Sequence, residues 1–403
     1  MQSRIDLFDR RGGDTIQIEK TAEELRKLGV EVGIDCSAKS DLANVDLVHL
    51  FNIDWPAQTF LQAKNAKEQN KPIVFSPIHH SYQEIERYEK EARFGIRRLT
   101  NSIFRTREPR EKLKEVYRLL TDPRKFSSTL TEFRLGIMNE QRELLEMANL
   151  ILVQTDAEAK DLKTDFGFND GELQSLALQL VVNGVNREFA KARPDWFVKN
   201  FGLEEFILSV GRIEPRKNQL AVIEAAQPLG LRGINPKGLN LVFVGKISWR
   251  HPEYALRFLN LVKKHAWVHH IPQIPHEKIG SCFAAAKVHV LASWFETTGL
   301  VNLEAALAGA NVVSSSKRSR EYLLDFAHYC DPGDINSITG AIHGAWKSPP
   351  DPKLKEHILK NFTWEIVGRQ TLAAYYLLRK ANCKGPRAKS RGDAPNKVLN
   401  GSY

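Results

Sequence analysis

Two short stretches of the chain carry residue types suited to holding phosphate. The first, Gly211-Arg212-Ile213-Glu214-Pro215-Arg216-Lys217-Asn218, follows the apolar run Phe206-Ile207-Leu208-Ser209-Val210. Read as a strand and its exit loop, it sets three cations at a strand's C-terminal end, the edge at which open α/β sheets bind ligands. A guanidinium offers a planar fork of donors and an ammonium a compact charge, so together they can neutralise a diphosphate. Taken alone, three cations are equally well read as a solvated basic loop.

The second stretch runs from Ser293 to Gly309, after the apolar run Val288 to Ala292. Its pattern predicts a helix starting near Gly299, capped by Thr297 or Thr298, with Leu300, Leu303 and Leu307 as its apolar stripe. Such a helix presents unpaired amides and the positive end of its dipole, and a diphosphate is expected there, met from the other side by Arg212 and Lys217. Glu304 falls on this helix among Leu303, Ala305 and Ala306. It is either a solvated surface carboxylate or an acceptor for two ribose hydroxyls. Glu296 precedes the helix. As a glycosidase pair the two carboxyl groups would need to lie about 5–9.5 Å apart. Eight helical steps put their backbones roughly 12 Å apart, which speaks mildly against hydrolysis.

The elements that must position these residues alternate between strand and helix. In the first half, Ile5 to Phe8, Val30 to Val32, Val45 to Leu50, Pro72 to Phe75 and Leu150 to Thr155 are β-rich, and Thr15 to Leu28 has a helical stripe. In the second half strands are expected at Phe206 to Gly211, Asn240 to Gly245, Val288 to Ala292 and Asn311 to Ser315. Two of these end in glycine, which predicts a close backbone approach there. The pattern is that of two doubly wound, Rossmann-like domains facing a cleft. Residues 1–190 are expected to form the first domain, with a helical insert at about 83–148. Residues 198–362 are expected to form the second, and a helix over 363–380 to pack back on the first domain. The basic tail 381–403 is expected to be disordered.

With 403 residues the chain exceeds one hydrophobic core, in keeping with two domains. No apolar run is long enough to span a bilayer and no secretory leader is visible. Cys36, Cys282, Cys330 and Cys383 have no metal-ligand spacing, so reduced thiols in the cytoplasm are expected. The net charge of +10 favours an anionic partner without choosing one. Between Arg93 and Lys125 eleven Lys and Arg face four Asp and Glu, with Phe94, Ile96, Leu99, Ile103 and Phe104 interleaved. That is a solvated helical face or a surface for anionic lipid on the inner face of the plasma membrane. Nucleic acid is not expected, because no motif for it is present.

Glu296 and Glu304, with seven residues between them and Gly309 following, resemble the Glu-x7-Glu signature of family four of the retaining GT-B glycosyltransferases. Gly211-Arg212 to Lys217 resembles that family's diphosphate clamp, and Arg11-Gly12-Gly13-Asp14 its N-terminal glycine loop. Asn183-Gly184-Val185-Asn186 is similar to its interdomain turn, and Asp331-Pro332-Gly333-Asp334 to a turn near its C-terminal end. The matches keep the family's order from Gly12 to Asp334. The resemblance implies a retaining transfer of a sugar from a nucleoside-diphosphate sugar to a glycan or lipid-linked acceptor, in polysaccharide or glycolipid synthesis, with no metal or cofactor. It implies that Arg212 and Lys217 bind diphosphate, that Glu304 binds ribose, and that Glu296 with the backbone of Thr298 and Gly299 holds the sugar. The amides of Leu300 and Val301 would contact phosphate, and Gly12 and Gly13 would let the opposite loop approach. The base would sit near Ile274, in a turn over His270 to Pro275. The sequence departs from the family in having Thr298 where an aromatic is frequent. An acceptor-side histidine is expected at Phe75-Ser76-Pro77-Ile78-His79-His80, with His79 favoured over His80. The rival reading is a non-catalytic two-lobed protein that clasps a phosphorylated ligand.

Overall fold

The computed structural model describes residues 1–9, 11–54, 56–91, 136–169, 171, 177–231 and 238–383. The basic segment 93–125 and the tail from 384 lie outside the described residues. In the first half the elements are α1 (Gly13–Lys27), β1 (Val48–Phe51), α2 (Pro56–Glu68), β2 (Ile73–Ser76), α3 (Tyr82–Glu91), α4 (Ile137–Met147), β3 (Leu150–Val153), α5 (Asp156–Phe166) and β4 (Leu178–Leu180). The strands pair in parallel in the order β1-β2-β3-β4.

The strands expected at Ile5 to Phe8 and Val30 to Val32 do not form. Residues 5–9 are a turn, and only Gln2 makes single parallel bridges, to Asp35 and Leu50. The reason lies on α2. Gln58 Oε1 accepts from the Ile5 amide (2.9 Å) and Gln62 Nε2 donates to the Ser3 carbonyl (2.9 Å). Asn65 and Gln69 both donate to the Ser40 carbonyl. Side-chain amides thus satisfy backbone groups that a ladder would otherwise pair. The buried Arg4 guanidinium binds Asp6 and Asp14, tying the N-terminal turn to the first turn of α1.

In the second half α6 (Asp195–Phe201), β5 (Phe206–Val210), α7 (Gln219–Leu231), β6 (Leu241–Val244), α8 (Pro252–Lys264), β7 (Val268–Ile271), α9 (Ile279–Ala285) and β8 (Ala286–Leu291) come first. Then follow α10 (Leu300–Ala308), β9 (Asn311–Ser314), α11 (Lys317–Leu323), β10 (His328–Tyr329), α12 (Ile335–Lys347) and α13 (Pro352–Asn361). Six parallel strands pair in the order β10-β9-β8-β5-β6-β7. The inner strands are apolar and buried, as expected of a sheet covered on both faces. The edge strands β7 and β10 carry His269, His270 and His328, and polar side chains hid both from a reading by apolar runs. The turn expected over His270 to Pro275 is correspondingly shorter, because His270 and Ile271 belong to β7.

The two glycine-ended strands meet one another. Gly211 and Gly245 have φ of +150° and +151°, and a Cβ on Gly245 would overlap the Gly211 carbonyl. Only glycines let these two strand exits cross.

The chain then returns. Val185 bridges Thr363, and α14 (Trp364–Cys383) packs along α1 on the first domain. Trp364, Val367, Ala374, Tyr375 and Leu378 share one buried cluster with Leu25, Val74, Leu150, Leu152 and Val181. Inside it His49 Nδ1 lies 2.7 Å from the Tyr375 hydroxyl and His49 Nε2 lies 2.9 Å from Ser76 Oγ.

Candidate functional site

The exit of β5 makes one turn of 3₁₀ helix over Pro215–Lys217, stopped by Asn218 in the left-handed conformation (φ 61°). Asn218 Nδ2 donates to the Pro332 carbonyl (2.8 Å), and the Trp294 amide donates to the Arg216 carbonyl (2.9 Å). The first bond ties the basic loop to the turn after β10, and the second holds it against the segment that precedes α10. There Lys217 Nζ forms an ion pair with Glu296, and Arg216 Nη1 stands 3.9 Å from the same carboxylate. Arg216 also lies over the Phe295 ring and bonds Glu214 (3.3 Å). Arg212 is half exposed, its guanidinium 3.7 Å from Glu214. Burial acts to raise the Glu296 pKa, but Lys217 and Arg216 outweigh it and hold the group down at about 2. Glu296 is therefore ionised at neutral pH.

Helix α10 begins at Leu300, and its N-cap is Gly299 at φ 67°, with no side-chain cap. Neither threonine expected to cap it does so. Thr298 is buried, its hydroxyl accepting from Asn183 Nδ2 (3.2 Å) and its carbonyl from Ser319 Oγ (3.2 Å). A helix opening on glycine leaves its first amides, those of Leu300 and Val301, without an intrahelical acceptor. Leu303 and Leu307 are buried in the core, and Leu300 packs at its margin. Glu304, one turn along, is partly buried with no ion-pair partner among the described residues, and burial pushes its pKa up to about 8. The glutamates thus differ sharply, one paired with cations and one alone.

On the opposing domain Gly12 is the N-cap of α1 and Gly13 its first residue. A Cβ at Gly13 would meet nothing within 4 Å, so this loop tip is open. Ile274 is buried in the core beneath the turn 272–275. His79 and His80 are placed very differently. His79 is fully buried; its Nε2 lies 2.7 Å from Asp165 and its Nδ1 3.7 Å from Asp54. Burial opposes its charging, but the two carboxylates prevail and raise its pKa to about 9. His80 is partly exposed, 2.5 Å from Asp54, and its ring meets Phe295 of the other domain edge-on at 5.2 Å. It is His80, not the favoured His79, that faces the cleft.

Several residues escaped the sequence reading. His289 of β8 lies buried under α10, its Nδ1 3.0 Å from Oδ1 of the buried Asn302 on that helix. Burial takes the His289 pKa down to about 3, so this support is neutral. Arg318 of α11 reaches across the domains to the His79 carbonyl and to Asp161. Glu321 accepts the Asp156 and Ala157 amides that open α5. Each sits among ordinary core or helix residues, so no local pattern marks it. Arg216 was visible as one of three cations, but its spacing did not single it out. Among the described residues no group of three His, Cys, Asp or Glu could hold a metal ion, and no helix is long and apolar enough to cross a membrane.

Residues 194–361 match the family model described as glycosyl transferases group 1. The O-antigen chain mannosyltransferase B of Escherichia coli is 26% identical over 244 residues, covering 59% of this chain and 62% of that protein. A D-inositol 3-phosphate glycosyltransferase of Kribbella flavida is 26% identical over 260 residues, covering 58% of each. The chain therefore spans about three-fifths of the length of the curated relatives it matches. Among solved structures, sucrose-phosphate synthase from Thermosynechococcus elongatus superposes with a TM-score of 0.67 at 17% identity, covering 92% of this chain and 94% of that one. Anabaena HepE in complex with UDP superposes with a TM-score of 0.64 at 13% identity, covering 93% and 98%. Both neighbours share the arrangement of two parallel-sheet domains about a cleft, so the chain has the GT-B fold, and residues 194–361 within it are similar to the glycosyl transferases group 1 family.

Proposed function

We propose that the protein is a retaining glycosyltransferase that moves a hexosyl group from a nucleoside-diphosphate sugar to a hydroxyl of a glycan or lipid-linked acceptor. One observation carries the reading: the loop with Arg212, Arg216 and Lys217 is held against the start of α10, with ionised Glu296 between them. The names of the relatives, which include a mannosyltransferase and an inositol-phosphate glycosyltransferase, and a structural neighbour solved with UDP-glucose support the substrate class.

In this proposal Lys217, Arg212 and the α10 amides meet the charge that develops on the diphosphate as the glycosidic bond loosens. These cations neutralise the leaving group without recourse to a metal. Glu296, kept as a carboxylate, accepts hydroxyl hydrogen bonds from the donor sugar and holds it beside the acceptor. Thr298 and Gly299 bound the sugar pocket, and the acceptor hydroxyl attacks from the face the diphosphate leaves. Glu304 accepts the ribose hydroxyls, Gly12 and Gly13 admit the diphosphate to the opposite domain, and the base lies at the turn beside Ile274. His80 stands on the acceptor side. The cation-rich sequence 93–125 supports docking on anionic lipid, tested by salt-dependent co-sedimentation with anionic but not neutral liposomes.

Thermal shift with UDP-, GDP- and ADP-sugars, followed by transfer assays with the stabilising donor, tests the function. Ligands of the native state raise its apparent stability. A rise with one donor and sugar transfer from it support the enzyme. Tight binding without transfer or donor hydrolysis would favour the phosphorylated-ligand binder.

A further inference from the structure

Between α3 and the C-terminal domain lies a cavity of about 520 Å³, within the range of small-molecule sites. We propose that this cavity is the acceptor subsite, and that it binds a neutral saccharide through Trp294 and Glu84, which line it from the two domains. The inference rests on the glycosyltransferase reading above.

The lining is suited to a polyhydroxyl ligand. Each sugar hydroxyl both donates and accepts, and the wall offers both kinds of partner: Glu84, Glu86 and Gln83 from α3, Ser315 and Lys317 from the other domain. Two polar atoms in this wall stand out. Trp294 is 92% buried, and its Nε1–H has no hydrogen-bond acceptor among the described residues. Its ring is already engaged, by the Arg87 guanidinium at 5.8 Å and by Tyr88 at 6.2 Å. What Trp294 has left to offer is therefore the N–H. In the α3 wall of the same cavity Glu84 Oε2 is buried and likewise without a partner among the described residues, and burial raises the pKa of that carboxyl. Buried hydrogen-bonding atoms are nearly always paired, so two orphans in one cavity wall call for a ligand with hydroxyls.

Position points the same way. Trp294 is two residues from Glu296, and its amide is bonded to the Arg216 carbonyl. His80 and Tyr88 both contact Phe295, the residue between. A saccharide in this cavity lies beside the donor-sugar position, on the side away from the nucleotide.

The test is saturation-transfer NMR on the full chain, with methyl α-mannopyranoside and methyl α-glucopyranoside as probes and GDP and UDP alongside. The expected result is transfer to at least one glycoside on the parent protein. It should fall at least fivefold in Trp294→Phe, which keeps an aromatic ring and removes the N–H, and in Glu84→Ala, with nucleotide signals unchanged. Glu84→Gln, which retains the shape and hydrogen-bonding capacity, should recover part of the glycoside signal. Thermal melting confirms that the variants fold. Absence of transfer to both glycosides on a parent that binds nucleotide would overturn the inference alone, as would undiminished transfer in folded Trp294→Phe and Glu84→Ala. Failure of the parent to bind either nucleotide would instead count against the glycosyltransferase reading.

Discussion

Glu296 and Glu304 occupy one short segment but opposite electrostatic surroundings, and their variants should part accordingly. Glu304→Ala should weaken binding of the nucleoside diphosphate itself, while Glu296→Ala should depress transfer and leave that binding nearly unchanged. Calorimetric titration beside a transfer assay separates the two, and equal losses in both assays would refute the division of roles. The pH dependence has a definite sign. Hydroxyls donated to the Glu304 carboxylate favour its charged form, so binding lowers a pKa that starts at about 8. Nucleotide affinity should therefore climb as pH rises towards 8, level off above it, and be flatter in Glu304→Gln. His79 acts on stability instead. Its pKa is raised to about 9 from 6.5, so its contribution is fully present below 6.5 and is lost as pH rises through 9. That shift corresponds to roughly 3 kcal/mol. Glu304 also lowers stability with rising pH, but only up to about 8, so a melting-temperature decline between 8 and 9 that vanishes in His79→Gln isolates the histidine. For Lys217→Ala, loss of a contact to the developing charge should cost about 10²–10³ in kcat. The fold should survive, because Arg216 remains 3.9 Å from Glu296.

At the scale of elements, the turn Asn183 to Asn186 shows how tightly the return crossing is fitted. A Cβ on Gly184 would come within 2.9 Å of the Trp364 ring and its backbone nitrogen. Gly184→Ala should destabilise the protein by about 1–3 kcal/mol, read from denaturant unfolding, since overpacking forces the start of α14 to shift. The motif was legible in the sequence, but its partner was not, because Trp364 stands 180 positions away. The same division runs through the fold. The apolar inner strands β5, β6, β8 and β9 could be read directly, since continuous Val, Leu and Ile runs suit a sheet buried on both faces. The irregular N-terminal edge could not, since it depends on Gln58, Gln62 and Asn65 of α2 and on Gln69 just after it, whose targets are set by tertiary packing. In the site, Lys217 and Glu296 were legible by type and spacing. The choice between His79 and His80 was not, because adjacent residues differ only in which way the loop turns them.

For the whole molecule, the two domains are joined by contacts of unequal strength. On one side Arg318 is buried against Asp161 and the His79 carbonyl, and the Tyr322 hydroxyl donates to the Gln154 carbonyl and accepts from the Asn183 amide. On the other, Arg87 and Asp331 meet at 2.7 Å with both side chains over 40% exposed. Exposed pairs contribute about 0–1 kcal/mol, whereas breaking a buried one costs about 3–5. Opening should therefore turn about α11 and part at Arg87. Arg87→Ala should shift small-angle scattering of the nucleotide-free protein towards larger dimensions with little change in melting temperature. Arg318→Ala should lower the melting temperature markedly.

The crossing of α14 also sets an order of events during synthesis. The first domain's core is completed by Trp364, Val367, Ala374, Tyr375 and Leu378, which are made only after the whole second domain. Burying side chains of this kind contributes about 1.5–3 kcal/mol each. Their sum is comparable with the whole stability of a domain, about 5–15 kcal/mol. The N-terminal domain must therefore wait, incomplete, while nearly two hundred further residues are made, roughly 10–40 s at ordinary elongation rates. The second domain, contiguous in sequence, is translated whole in that interval and can fold first. In this chain the half made first is the half finished last, and the nascent N-terminal segment is the natural client for a chaperone.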